Sequence, residues 1–425
     1  MLQNPLDYSE ADFHRKFMKY CTVILIFCLI GLVLLPSTPA QGQASSPIQD
    51  LKNWLASSQR TDINEQSWAS KALTQAQADE AKDLLWKDFV AQVKRDRKQE
   101  WDSKVISMDD LKMKFDFKVF GEPGENGRRF FISMHGGGGA PPRVNEQQWK
   151  NQIGLYQPEE GIYLAPRAPT DTWNLWHQAH IDKFFERIIQ DAVVFEDVDP
   201  NRVYFMGYSA GGDGVYQLAP RMADHLAAAA MMAGHPNDAN PLGLRNIGFT
   251  LHMGAEDSAY NRNKIAGDWK VKLAELQKAD PTAYPHEVTI HKGKGHWMDR
   301  EDAVAVEWMS NFERNPWPEK IAWHVRNSEP QEFYWLHAEQ PQAKSDIIVS
   351  RAGQTIELEA CPTEEIVIRL NDEMVNLDEP VVIKTLAGKA TSQTYQRNIM
   401  TLFKTLQERG DKSYMFPVEV SVSTK

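Results

Sequence analysis

Ser209 lies in Gly207-Tyr208-Ser209-Ala210-Gly211, after the apolar run Val203-Tyr204-Phe205-Met206 and before further small residues. A serine placed this way can serve as a nucleophile if the chain turns sharply enough to expose its hydroxyl. The flanking glycines remove the bulk that would block such a turn. A helix starting there would direct free N–H groups, Ala210 first, and the positive end of its dipole toward the serine. A second cluster, His135-Gly136-Gly137-Gly138-Gly139-Ala140, follows the strand-like Arg129-Phe130-Phe131-Ile132-Ser133-Met134. Backbone without side chains can approach a carbonyl closely and turn the amides of Gly136, Gly137 and Gly138 toward it. Either cluster alone also describes an ordinary turn or linker, so the chemical reading rests on the pair. A serine hydroxyl attacks poorly until a histidine takes its proton and a carboxylate fixes the histidine's tautomer. Two later stretches supply those groups: Gly254-Ala255-Glu256-Asp257, and His291-Lys292-Gly293-Lys294-Gly295-His296.

Other residues fit a substrate pocket. Trp173, Trp176, His177, Tyr208 and Trp297 are read as its wall, although core packing accounts equally well for the tryptophans. His177-x-x-His180 with His235 is the nearest approach to a metal site. Without cysteine pairs or an HExxH string, no metal and no cofactor is expected.

These residues need elements to hold them. Residues 48–104 have helical periodicity, with a capping box at Thr74 and Gln77 and an apolar face of Ala78, Ala81, Leu85, Phe89 and Val93. Met113, Phe115, Phe117 and Val119 alternate with charged residues, as in a half-exposed edge strand. Short apolar runs at 162–165, 203–206, 226–232, 247–253 and 288–290 read as buried strands. The segments 179–195, 264–276 and 302–312 read as helices between or after them. The run 226–232 is alanine-rich and favours helix by propensity, but its place between a helix and a loop predicts a strand. Such alternation implies a mostly parallel, doubly wound sheet. Arg314-Asn315-Pro316-Trp317-Pro318 marks a boundary. Beyond it, strands are predicted at Phe333-Tyr334-Trp335-Leu336, 346–349, 355–358, 366–370, 381–383 and 418–420, with a hairpin turn at 351–354 and a helix at 396–407. The predicted organisation is a signal peptide and leader (1–44), a helical N-terminal extension (45–108), an α/β catalytic domain (109–315) and a small β-rich accessory domain (316–425).

A net charge of -11 over 425 residues argues against nucleic acid and anionic membrane surfaces as partners. The apolar run from Thr22 to Leu35 follows Arg15, Lys16 and Lys19, and small residues suited to cleavage lie near Ala40 and Ala44. That is the pattern of an export signal, with Met18 as the tidier start. An uncleaved anchor is the alternative, and would be the protein's one membrane contact. Of the three cysteines, Cys21 and Cys28 fall within this signal, which leaves Cys361 without a disulfide partner.

Taken together, residues 135–140, 207–212, 254–257 and 293–296 resemble the α/β-hydrolase superfamily. Within it they are similar to secreted bacterial esterases of the polyhydroxybutyrate-depolymerase, feruloyl-esterase and phospholipase/carboxylesterase kind. The resemblance spans roughly Met113 to Phe312. It implies a catalytic order of serine, acid and histidine, with Asp257 as the acid (Glu256 the alternative) and His296 as the base. It further implies an oxyanion hole from Gly136 to Gly138 and Ala210, and hydrolysis of a small-molecule or polymer-borne ester. A prolyl-oligopeptidase-type peptidase and an inactive, polysaccharide-binding hydrolase body remain open.

Overall fold

The computed structural model describes residues 46–329 and 331–424. The export signal and leader lie outside the described residues.

Helix α1 (Pro47–Ala56) is capped by Ser46, whose hydroxyl accepts the Gln49 N–H. Helix α2 (Gln75–Ser103) begins at the capping box: Thr74 Oγ1 accepts the Gln77 N–H at 3.3 Å, and Gln77 Oε1 accepts the Thr74 N–H at 3.0 Å. Ala78, Ala81, Leu85, Phe89 and Val93 form its buried face. Strands β1 (Val105–Met108) and β2 (Leu111–Phe120) form a hairpin. Then follow β3 (Arg128–Met134), α3 (Pro142–Gln152), β4 (Gly161–Arg167), α4 (His180–Phe195), β5 (Val198–Tyr208), α5 (Ala210–Arg221), β6 (Ala228–Met232), β7 (Gly248–Gly254), α6 (Arg262–Ala279), β8 (His286–His291) and α7 (Val304–Met309).

These strands make one eight-stranded sheet in the order β1-β2-β4-β3-β5-β6-β7-β8. Strands β4 through β8 along that order are parallel, and β2 alone runs against both of its neighbours. Strand β2, expected at the edge, is covered by β1 and lies one place inside. Alternation along β3 divides the core. Phe130, Ile132 and Met134 join α4, α5 and α6 on one face, and Phe131 joins Tyr204, Met206, Tyr156 and the α7 residues on the other. A mostly parallel sheet covered on both faces, with a Gly-x-Ser-x-Gly turn between strand and helix, is the α/β-hydrolase fold. The alanines of β6 fit because α5 sits almost on top of it: a Cβ on Gly212 would lie 2.4 Å from Met232 O.

The C-terminal part adds β9 (Lys320–Val325), β10 (Gln331–Phe333), β11 (Leu336–Ala338), β12 (Ser345–Ala352), β13 (Thr355–Ala360), β14 (Glu365–Leu370), β15 (Val381–Lys384), β16 (Ala390–Gln393), α8 (Ile399–Arg409) and β17 (Val418–Ser423). They form a five-stranded sheet, β16-β15-β13-β12-β9, and a four-stranded one, β10-β11-β14-β17. The predicted strand Phe333–Leu336 is instead a hairpin turn. Phe333 pairs with Leu336, and Tyr334 between them takes φ 56°.

Helix α8 shares one apolar cluster with α1 and α2: Leu51, Leu85 and Phe89 pack with Ile399, Leu402 and Leu406. Behind it, buried ion pairs tie the C-terminal part to the body built on the eight-stranded sheet. Arg409 pairs with Asp224, and Arg314 with Asp411 at 2.8 Å. Tyr414 donates its hydroxyl to Asp224 O, and the Arg409 guanidinium lies 4.4 Å from its ring. Removing one member of such a pair strands the other charge away from water. Arg409→Met is therefore expected to lower the unfolding free energy in urea by about 3–5 kcal/mol, and adding Asp224→Asn should recover part of it. A double variant less stable than the single one would contradict this account.

Candidate active site

Ser209 alone makes the turn from β5 to α5, at φ 58° and ψ -120°. Few side-chain-bearing residues adopt such a backbone. The chain crosses itself closely here. A Cβ on Gly207 would lie 2.3 Å from Gly211 O, and one on Gly211 would lie 2.0 Å from Met134 O. Backbone bonds hold the turn: Ser209 N–H donates to Met232 O, and Asp213 N–H to Ser209 O, both at 2.9 Å.

The histidine and the acid arrive from the ends of β8 and β7. His296 Nε2 lies 2.9 Å from Ser209 Oγ, and His296 Nδ1 lies 2.7 Å from Asp257 Oδ2. Asp257 is buried, whereas His296 is open to solvent. An Nδ1–H held by the carboxylate leaves Nε2 free to accept the hydroxyl proton. Glu256, the alternative acid, is exposed and contributes its backbone N–H, which donates to Lys294 O at 2.8 Å. That bond and Ala255 N–H to His291 O (2.9 Å) lock the two loops together. Their approach requires Gly254, whose Cβ would lie 1.9 Å from Gly295 O. A further group had no signal in the sequence. Arg262 Nη1 stands 3.5 Å from Asp257 Oδ1, facing the oxygen that His296 does not use.

The glycine loop folds against the serine, and a Cβ on Gly136 would lie 3.2 Å from Ser209 Cβ. Among the described residues, the N–H groups of Gly136, Gly137 and Ala210 have no hydrogen-bond acceptor. Gly138 differs from the expectation. Its N–H donates to the buried Asn145 Oδ1 at 3.1 Å, and its carbonyl accepts from Asn145 Nδ2 at 2.9 Å, so its amide is already engaged. Asn145 also donates to Asp171 Oδ1, which pairs with Arg167. Gly137, at φ 118°, has no room for a Cβ beside Asn145 Oδ1. His135 clamps the loop from the other side. The Ala168 N–H donates to His135 Nε2, which places the ring proton on Nδ1, 2.6 Å from Gly136 O.

Two residues expected in the pocket wall act elsewhere. Trp176 is fully buried, and its indole N–H donates to His135 O at 2.9 Å, bracing the glycine loop. Tyr208 is also buried. Its hydroxyl donates to His296 O at 2.7 Å and accepts the Met298 N–H, so it fixes the histidine loop, and burial raises its pKa and keeps it protonated. Trp173 and Trp297 are 64% and 50% exposed, and Tyr260 is 76% exposed. No other phenylalanine, tyrosine or tryptophan among the described residues is exposed, and all three stand on loops of this site. Trp173 packs on Gly138 and Gly139, Trp297 follows His296, and Tyr260 lies under Arg262. His177 is half-buried and edge-on to Trp173, and burial pushes its pKa down to about 4.

No protein-family profile matches the chain, and no curated protein sequence matches it. Among solved structures it is similar to a thermostable esterase, at 16% identity and TM-score 0.37, over 49% of this chain and 62% of that one, so less than two thirds of that esterase is matched. It is also similar to the feruloyl esterase module of Clostridium thermocellum in complex with sinapinate (15% identity, TM-score 0.35, 49% of this chain and 86% of that one). A third is Thermogutta terrifontis esterase 2 phosphorylated by paraoxon (16%, TM-score 0.34, 48% and 88%).

The buried histidines make stability depend on pH. Burial pushes His135 down to about 4, as it does His225, and His252 to about 3. Between those values and about 6.5 the unfolded chain binds protons that the folded one refuses, so stability is present above about pH 6.5 and falls on acidification. The urea midpoint is expected to drop from pH 7 to pH 5, and His135→Asn should shrink that drop. An undiminished drop in the variant would mean that His135 is not held neutral.

Proposed function

We propose that this protein hydrolyses carboxylic esters through an acyl-enzyme. The observation that carries this reading is the relay from Ser209 through His296 to Asp257, standing beside three amides without acceptors. Ser209 Oγ attacks the ester carbonyl as its proton passes to His296 Nε2. Asp257 faces the resulting imidazolium, and Arg262 balances the second carboxylate oxygen. The carbonyl oxygen, now negative, is received by the N–H groups of Ala210, Gly136 and Gly137. His296 then gives its proton to the departing alkoxide. In the second half, water attacks the acyl-enzyme with His296 as base, and the carboxylic acid leaves. Trp173, Trp297 and Tyr260 supply flat apolar surface for the acyl or alcohol part of a small or polymer-borne ester. The sequence from Arg15 to Ala44 supports export of the protein.

Ser209→Ala should abolish hydrolysis of p-nitrophenyl butyrate and labelling by a fluorophosphonate, with the circular dichroism spectrum unchanged. Turnover that survives in this variant would remove Ser209 from the mechanism. A panel that shows peptide amides cleaved faster than esters would replace the esterase reading with a peptidase one. Asn145→Leu frees the glycine loop without touching substrate. It should lower kcat by about 10²-fold, the scale of losing one oxyanion donor, with KM little changed. An unaltered kcat would show that the loop holds its shape without Asn145.

A further inference from the structure

A cleft runs between the hydrolase body and the C-terminal strands. Helix α4 and the end of α5 form one wall, and β9 with the loop after it forms the other. It consists of two hollows of about 260 and 340 Å³ that share Arg221, His324 and Arg326.

Arg326 is half-buried between them, and among the described residues its guanidinium has no hydrogen bond or ion pair. The charges facing it are Arg221, Asp182, Glu329 and Asp238. Most are already engaged. Arg221 pairs with Asp182, and Asp238 accepts from Gln217 Nε2 at 3.0 Å. Lys344 lines the larger hollow and adds a second positive charge. The smaller hollow is lined by Glu186, whose carboxylate lies 3.9 Å from Nε2 of the neutral His225 ring. Asp182, Asp224, Glu332 and Arg409 face Glu186 from further away.

A half-buried guanidinium with no carboxylate in contact has hydrogen-bond donors to spare, and its planar fork fits a carboxylate. The carboxylates around it oppose a dianion such as phosphate, whereas one carboxylate balances one guanidinium. Glu186, in the same hollow, can exchange a hydrogen bond with a hydroxyl. We propose that this cleft binds a hydroxylated monocarboxylate of the uronic acid class, with its carboxylate on Arg326 and hydroxyls toward Glu186. The site lies at the far end of α5 from Ser209. Arg221, which lines both hollows, is the last residue of α5, about 18 Å along the helix axis from Ser209, and the proposal does not rest on the ester-hydrolase reading.

The test is calorimetric titration of the full chain with D-glucuronate, and in parallel with D-glucose and inorganic phosphate. Glucuronate should bind, with glucose and phosphate at least about tenfold weaker, and Arg326→Gln should weaken glucuronate by about tenfold or more. Hydrolysis of p-nitrophenyl butyrate should be the same in the variant, which separates this site from the serine. Absence of glucuronate binding, equal binding by Arg326→Gln, or phosphate binding as tight as glucuronate would each overturn the proposal.

Discussion

Ser209 is held at a positive φ, and nothing in a serine favours that conformation. The backbone is forced into it by a crossing of three chain segments, where Gly207, Gly211 and the end of β3 lie closer than any side chain allows. The strain is offset by the sheet on one side, through Met232 O, and by the first turn of α5 on the other. Everything at the site is placed with respect to that crossing. The glycine loop reaches the serine because β3 ends beside it, and α5 offers its unpaired amides because the helix starts one residue later.

A second layer of residues turns proximity into fixed geometry. Tyr208 directly precedes the serine, yet its hydroxyl holds the histidine loop through His296 O and Met298 N–H. The two loops after β7 and β8 are joined by backbone bonds before any side chain is considered. His135, Trp176 and Asn145 grip the glycine loop from three directions, which fixes its shape. These groups are buried, which strengthens their hydrogen bonds and keeps His135 neutral.

The parts of this arrangement that sequence reveals are those set by local rules. Thr74 and Gln77 announce a helix start because the capping box is made within four residues. The glycines at 207 and 211 announce a turn because only backbone freedom explains them. Alternation or apolar runs mark most strands, and context rescues β6 from its alanines. What stayed hidden depends on partners far along the chain. Asn145, in a polar helix, gives no sign that its amide grips Gly138, and Arg262 looks like any surface arginine until Asp257 is beside it. Trp176 and Tyr208 were legible as important aromatics, but their sequence neighbours cannot say whether a ring faces solvent or the core. Strand β9 and the turn at Tyr334 escaped for the same reason. An apolar, aromatic segment has no period that separates a strand from a buried hairpin.

The shared cluster of α1, α2 and α8 has a bearing on how the molecule comes into being. The apolar face of α2 waits for Leu402 and Leu406, more than 300 positions later. Contacts of such sequence separation form late and slow the search for the native state. During synthesis α1, α2 and the end of α4 emerge long before α8, so the part of the apolar stripe that α8 covers stays open until that helix is made. A chain cut short before residue 399 would keep that stripe exposed, and self-association of the fragment is its natural fate.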